Sequence, residues 1–251
     1  MDPPPHLGDS AGAESDLPGA KAAAADRVAS RRSRMKPELR AGMILEAAAN
    51  YFAEHGFEAQ LKQLAHRIGV SEGLIFRYFG TKQNLVEAVY QRVFLERWSR
   101  DWERGLRDRS QPLRQRLETF YGSYLEAVDE PRWIRVSVYA GLAGHDIIRR
   151  YIDTHVDQLL RIIVQELYAE RGLPEPAEVD AMDLELAWHL HSTFIYFLIR
   201  KHVHRTPTTG DRAAMVGRIV ETFLSGFRPS EAHAGPRTAR PHRRSPKARP
   251  G

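Results

Sequence analysis

An all-α protein flanked by two tails of different composition is predicted by three features of this 251-residue sequence. Between about residue 35 and residue 228, apolar residues recur at the i, i+3, i+4 spacing of a helical face, and no stretch alternates convincingly with the period of two that marks a strand. Capping residues and prolines stand where helices would begin, and glycines where they would end. The ends differ from this pattern. Residues 1–34 contain Pro3, Pro4, Pro5, an alanine run and no aromatic residue. Residues 229–251 contain Pro229, Pro236, Pro241, Pro246 and Pro250, with Arg237, Arg240, Arg243, Arg244, Lys247 and Arg249 set against a single acid, Glu231. Neither end can bury enough apolar surface to offset chain entropy, so both are predicted to be disordered.

The elements follow in order. Ile44, Leu45, Ala48, Tyr51 and Phe52 share one face of a first helix, which His55-Gly56 ends. Leu61, Leu64, Ala65 and Ile68 mark a short second helix stopped by Gly69. Ser71 is a good N-cap for a third helix running to about Tyr78. Thr81 caps a long fourth helix carrying Leu85, Val89, Val93 and Leu95. Gln111-Pro112 and Glu130-Pro131 each place proline at a first helical position, predicting helices near 112–129 and 131–141. A helix over about 146–171 ends at Gly172-Leu173-Pro174, and two more are predicted near 177–204 and 210–227. There is no internal repeat.

Composition removes several classes of function. The chain holds 42% apolar residues, including four Trp and ten Phe, so it can bury a core. No apolar run approaches the roughly 20 residues a membrane helix requires, and the N-terminus lacks the apolar stretch of a signal peptide. A cytoplasmic location without membrane contact is therefore expected. With no cysteine, disulfide scaffolding, thiol catalysis and cysteine zinc sites are excluded. His189 and His191 lie two apart, about 200° around a helix, and cannot share an ion. His202 and His204 could chelate only loosely, so no metal and no cofactor is expected. Nucleophile elbow, Gly-rich phosphate loop and H-E-x-x-H motif are all missing, which argues against an enzyme. The net charge of +5 is compatible with an anionic partner.

Residues 60–79 carry the functional argument. Two short helices joined by Gly69-Val70-Ser71 form a helix-turn-helix pattern. Ala65 allows close approach, while Leu64, Ile68, Val70 and Ile75 supply a miniature core. The second helix would then enter a major groove about 12 Å wide, with Ser71, Glu72, Leu74 and Arg77 facing the DNA.

These residues resemble the TetR family. Its pattern appears as Ala48 to Phe52, Gly56-Phe57, Leu64-Ala65, Gly69-Val70-Ser71, Gly73, Phe76, Tyr78-Phe79, Lys82 and Leu85. Beyond about residue 90 only helix number and length are shared. The resemblance implies that Tyr78 and Lys82 contact DNA phosphates; Lys82 also sits at a helix start, where free N–H groups favour an anion. Phe76 stands where the family usually has Tyr, so a hydroxyl–phosphate bond is lost there. The family's second helix commonly opens with Ser or Thr; here Ala59-Gln60-Leu61 stands instead, leaving Gln60, Lys62 and Gln63 as candidates for backbone contacts. Arg77 lies where the family often has a DNA-contacting polar residue, and arginine can read guanine or hold a phosphate. The run Arg31-Arg32-Ser33-Arg34-Met35-Lys36 is either an arm for the adjacent minor groove, with Arg34 its contact, or a solvated charge run.

One helix-turn-helix reads few base pairs, so a homodimer on a near-palindromic operator of double-stranded DNA is expected, with recognition helices about 34 Å apart or a multiple of that. Met215, Ile219 and Phe223 form a stripe that, with Leu190 and Phe197 of the preceding helix, either makes the dimer interface or completes an intramolecular core. The resemblance further implies a small-molecule pocket among the later helices. Trp98, Trp102, Tyr121, Tyr124, Trp133, Tyr139, Trp188, His189 and Phe194 are its candidates, each also explicable as core. The expected organisation is a disordered arm over 1–34, a three-helix DNA-binding domain over 35–83, a helical ligand-binding and dimerisation domain over 84–228, and a disordered basic tail over 229–251. The expected function is a dimeric repressor released from its operator by a small apolar effector. The alternatives are a ligand-insensitive regulator and an architectural DNA-binding protein that uses its tails.

Overall fold

A computed structural model describes residues 35–229. The predicted disorder of 1–34 and 230–251, and the contact assigned to Arg34, lie outside them. The described residues divide into two units, one ending at Ile44 and the other beginning at Leu45. In the first, the Lys36 carbonyl accepts from the Arg40 amide at 3.0 Å in the opening turn of the first helix.

Among the described residues the structure is helical without strands. Helix α1 spans Pro37–His55, α2 Leu61–Ile68, α3 Glu72–Phe79 and α4 Lys82–Val93. A single 3-10 turn, Leu95–Arg97, leads to α5, Asp101–Arg107. Then come α6 (Leu113–Val128), α7 (Pro131–Leu142) and α8 (Asp146–Tyr151). A π-helical turn, Ile152–Val156, joins α8 to α9 (Asp157–Glu170), and a second, Arg200–His204, follows α10 (Ala181–Ile199). Helix α11 is Arg212–Gly226. None of these helices is long and apolar enough to cross a membrane.

The expected long fourth helix is shorter than its apolar pattern suggested. It stops at Val93 because Phe94 turns inward, its ring 5.4 Å from those of both Trp133 and Tyr151. Trp98 then takes an extended backbone, φ −70° and ψ 127°, and packs edge-on against Trp102 and Tyr151. The chain thereby turns into α5, which sequence periodicity did not separate. Likewise the helix expected from 177 begins at Ala181, because the Asp180 carboxylate accepts from the Met182 and Asp183 amides and fixes the start there.

Two buried charge clusters tie the later helices together. Glu166 of α9, almost fully buried, accepts from Arg116 of α6 at 2.7 Å and from Arg109 at 2.9 Å. Burial pushes its carboxyl up, but the two guanidiniums hold it below the ordinary range. Asp129, at the end of α6, is paired with Lys201 at 2.7 Å, His202 at 2.6 Å and Arg212 at 2.7 Å. Those partners come from the wide turn after α10 and the first residue of α11.

Candidate nucleic-acid interface and apolar cavity

The helix pair α2–α3 is built by its turn. Gly69 adopts φ +67°, a left-handed conformation that suits glycine, and closes α2, while the Val70 amide returns to the Ala65 carbonyl at 3.0 Å. Ser71 then caps α3 by accepting from the Leu74 amide at 3.2 Å, and Thr81 caps α4 by accepting from Asn84 at 3.1 Å. Leu61, Leu64, Ala65 and Ile75 are buried between the helices, while Ile68 and Val70 are half-buried at the turn. This sequestered apolar side leaves the opposite side polar.

On that outer side Gln60, Lys62, Ser71, Phe76 and Arg77 are exposed, and Glu72, Leu74, Tyr78 and Lys82 are half-buried. Gln60 stands at the N-cap of α2 without a side-chain cap bond. Gln63 is exposed but already engaged, its Oε1 accepting from the Tyr51 hydroxyl at 2.8 Å. Lys82 opens α4, beside the amides of its first turn. Lys62, Arg77 and Lys82 form no ion pair among the described residues, unlike Arg67 with Glu54, Arg92 with Glu46 and Arg150 with Glu87 nearby. Among the described residues the outer side therefore presents cations without ion pairs and an exposed aromatic ring.

A second feature lies deeper. A cavity of about 340 Å³ opens between α6, α7, α8, the π-helical turn and α10. Tyr124, Trp133 and Trp188, expected from sequence, line it, joined by Ser137 and Tyr151. The face of α10 that reaches it is a helical stripe: Trp188, His191, Ser192, Ile195, Tyr196 and Ile199. That i, i+3, i+4 spacing was readable, but the stripe was indistinguishable from core until its facing helices were known. Burial pushes the His191 imidazole down to about 4.

The other candidates do not line this cavity. Tyr121 and Phe194 stack on each other at 4.2 Å in the core. Trp98 and Trp102 pack edge to face, and Trp102 borders a separate groove with α5 and α6. Tyr139 turns to the end of α1, where its hydroxyl donates to the Glu54 carbonyl at 3.3 Å and its ring lies 3.1 Å from the Cβ position of Gly56. His189 lies on the opposite side of α10, in a groove also lined by Leu190, Ile219 and Phe223. Of the proposed interface residues, Leu190 and Phe197 are buried within this chain, while Met215, Ile219 and Phe223 are half-buried. Among the described residues no group of three or more metal-ligating side chains assembles.

Helix α7 spans both features. Its Trp133 and Ser137 face the cavity. Its Arg132 donates to Glu46 at 2.6 Å and Arg135 to the Ala53 carbonyl at 2.7 Å, both on α1. From α8, Arg150 reaches Glu87 of α4 at 2.6 Å and lies over the Tyr90 ring at 4.9 Å.

Comparison with known proteins agrees with this geometry. Residues 44–89 match the family described as bacterial regulatory proteins, tetR family. A helix-turn-helix-type transcriptional repressor of Mycobacterium tuberculosis is 50% identical over 50 residues, 20% of this chain and 27% of the relative. A transcriptional activator of Mycolicibacterium smegmatis is 33% identical over 94 residues, 36% of this chain and 43% of its own length. The alignment with these curated relatives thus spans less than half of each. A TetR-like transcriptional regulator from Rhodococcus, at 17% identity, shares the fold with a TM-score of 0.59 over 77% of this chain and 100% of its own. The match to the family of bacterial regulatory proteins, tetR family, falls on the helix pair whose caps and core are described above, and the likeness of fold continues through the later helices.

Proposed function

We propose that this protein is a DNA-binding transcriptional regulator, a dimeric repressor that leaves a near-palindromic operator when a small apolar effector occupies the cavity. Residues 35–83 form its DNA-binding domain and residues 84–228 its effector and dimerisation domain. The observation that carries the reading is the outer side of α2–α3. Among the described residues Arg77 and Lys62 are exposed without an ion-pair partner and Lys82 stands at a helix start, the arrangement expected where phosphates supply the missing charge. Tyr78 and Lys82 hold the backbone, Gln60, Lys62 and Gln63 approach it from the start of α2, and Ser71, Glu72, Leu74, Phe76 and Arg77 meet base edges. The half-buried apolar stripe Met215, Ile219 and Phe223 supports a symmetric interface beside α10.

The cavity supports the effector step. A ligand that prefers one arrangement of α7 shifts the balance between arrangements by that preference and no more. Because Arg132, Arg135 and Tyr139 tie the same helix to α1, such a shift reaches the DNA-binding helices. Selection from a random DNA library at physiological salt tests the reading. An inverted repeat with half-sites about one helical turn apart, or a multiple, is expected. Enrichment of no motif, with binding that vanishes as salt rises, would leave only a nonspecific DNA binder. Lys82→Ala should weaken binding to all sequences and lower the salt slope by about one. Arg77→Ala should instead change the preferred base at one position.

A further inference from the structure

The cavity between α6, α7 and α10 is apolar, yet it is not featureless. Among the described residues its lining includes no Asp, Glu, Lys or Arg. Among the described residues three of its lining residues carry buried polar atoms without a geometric hydrogen bond, the Tyr124 hydroxyl, the indole Nε1 of Trp133 and Nδ1 of His191. The Tyr124 hydroxyl interacts with that of Tyr151, which leaves Trp133 and His191 as the two orphans. Trp133 is 2% exposed and His191 4%. Buried polar groups are nearly always paired, so two orphans bordering one cavity point to a partner supplied from outside the chain. Their chemistry restricts that partner. An indole N–H only donates, so it requires an acceptor; a neutral imidazole offers one donor and one acceptor. Burial keeps the His191 ring neutral near pH 7. An anion would therefore enter a low-dielectric space with no cation to pair it, at heavy cost. Size sets a further limit: at about 30 Å³ per water-sized group the space holds on the order of ten to fifteen non-hydrogen atoms.

We propose that the cavity takes an uncharged, largely apolar molecule of one or two rings bearing a carbonyl-type acceptor, which receives the Trp133 indole hydrogen bond and is oriented by His191. This rests on the reading of the cavity as the effector site and specifies its ligand class. A charged group seated in this space would find no counter-charge among the lining residues.

The test uses the full chain and three probes of nearly equal size in equilibrium dialysis: 2-acetylnaphthalene, 2-isopropenylnaphthalene and 2-naphthoate. The ketone should bind about tenfold more tightly than the hydrocarbon, as expected for satisfying a buried donor, and the carboxylate should bind most weakly. Trp133→Phe should bring the ketone-to-hydrocarbon ratio to about one. His191→Phe, a second substitution that keeps a planar ring but removes both nitrogens, should lower the ratio independently. Naphthoate binding as tightly as the ketone would overturn the proposal. Equal binding of ketone and hydrocarbon would also overturn it while leaving an apolar effector site standing. Failure of all three probes to bind would overturn both the proposal and the effector reading beneath it.

Discussion

Gly73 is the second residue of α3, and among the described residues the packing gives no reason for a glycine there. A Cβ at that position would meet nothing within 4 Å, and its backbone is not in the left-handed region. In the proposed docking a methyl group at this position would hold the helix away from the groove. Gly73→Ala should raise the free energy of unfolding by about 0.5–1 kcal/mol and weaken operator binding. Denaturant titration and gel-shift titration would show the two effects with opposite sign. His191 makes a second prediction. Its folded value, about 4, lies below the ordinary 6.5, so between those pH values the unfolded chain binds the proton that the folded chain refuses. Stability from this residue is whole above pH 6.5 and falls as pH drops toward 4, by at most about 3 kcal/mol. His191→Phe should flatten that part of the stability–pH curve, as read by urea unfolding at stepped pH. At this scale the outer side of α2–α3 was legible because a turn glycine, two caps and a small core fix which side of a short helix remains outside. Tyr139 was misread as a pocket candidate because nothing in a single sequence says which side of α7 meets α1.

Among the helices, starts were more readable than interruptions. Proline after Gln111 and Glu130 marked α6 and α7 to within a residue or two, since the missing proline N–H is harmless there. The break after Val93 left no such mark; it arises from aromatic packing around Phe94, which is a tertiary event. The cavity was illegible for the same reason, because its wall is assembled from four helices whose individual stripes all read as core. Helix α7 makes the most direct prediction here. Removing its charge-assisted bond to the Ala53 carbonyl, as Arg135→Met, should leave operator binding without effector nearly unchanged and reduce the effector's weakening of that binding. Coupling between sites is commonly 5–150-fold, and a drop to about threefold or less, in gel shifts with and without 2-acetylnaphthalene, is the expected outcome. An unchanged ratio would remove α7 from the route. The Asp129 cluster should behave differently. Asp129→Ala leaves Lys201, His202 and Arg212 without their shared carboxylate, and should cost about 2 kcal/mol of stability, visible in thermal unfolding.

For the molecule as a whole, the sequence announced helices, a helix-turn-helix pair near one end and a basic excess, but it could not separate interface from interior. Leu190 and Phe197 turned out to be buried within one chain, whereas Met215, Ile219 and Phe223 remain half-open. Symmetric association through that half-open stripe predicts a particle of twice 28.6 kDa by light scattering. Ile219→Glu together with Phe223→Glu should return a single-chain mass and cost most of the operator affinity, since only a dimer places two recognition helices on two half-sites. A single-chain mass for the unmodified protein would move the interface elsewhere or abolish it.

The wide turn between α8 and α9 has a consequence for how this helix counts. Ile147 and Tyr151 point into the core four residues apart, but the next inward residue is Val156, five further on, followed by Leu160, Ile163 and Leu167. The turn acts as a phase corrector, absorbing one residue more than an ordinary helix would hold. Deleting Thr154 would rotate everything beyond it by about 100°, unless the turn relaxed to ordinary α-helix and took up the loss. A single-residue gain or loss elsewhere in α8 or α9 has no such reservoir. Length variation in this stretch is therefore tolerable at the edge of the cavity, where it resizes the space, and nowhere else along the same rod.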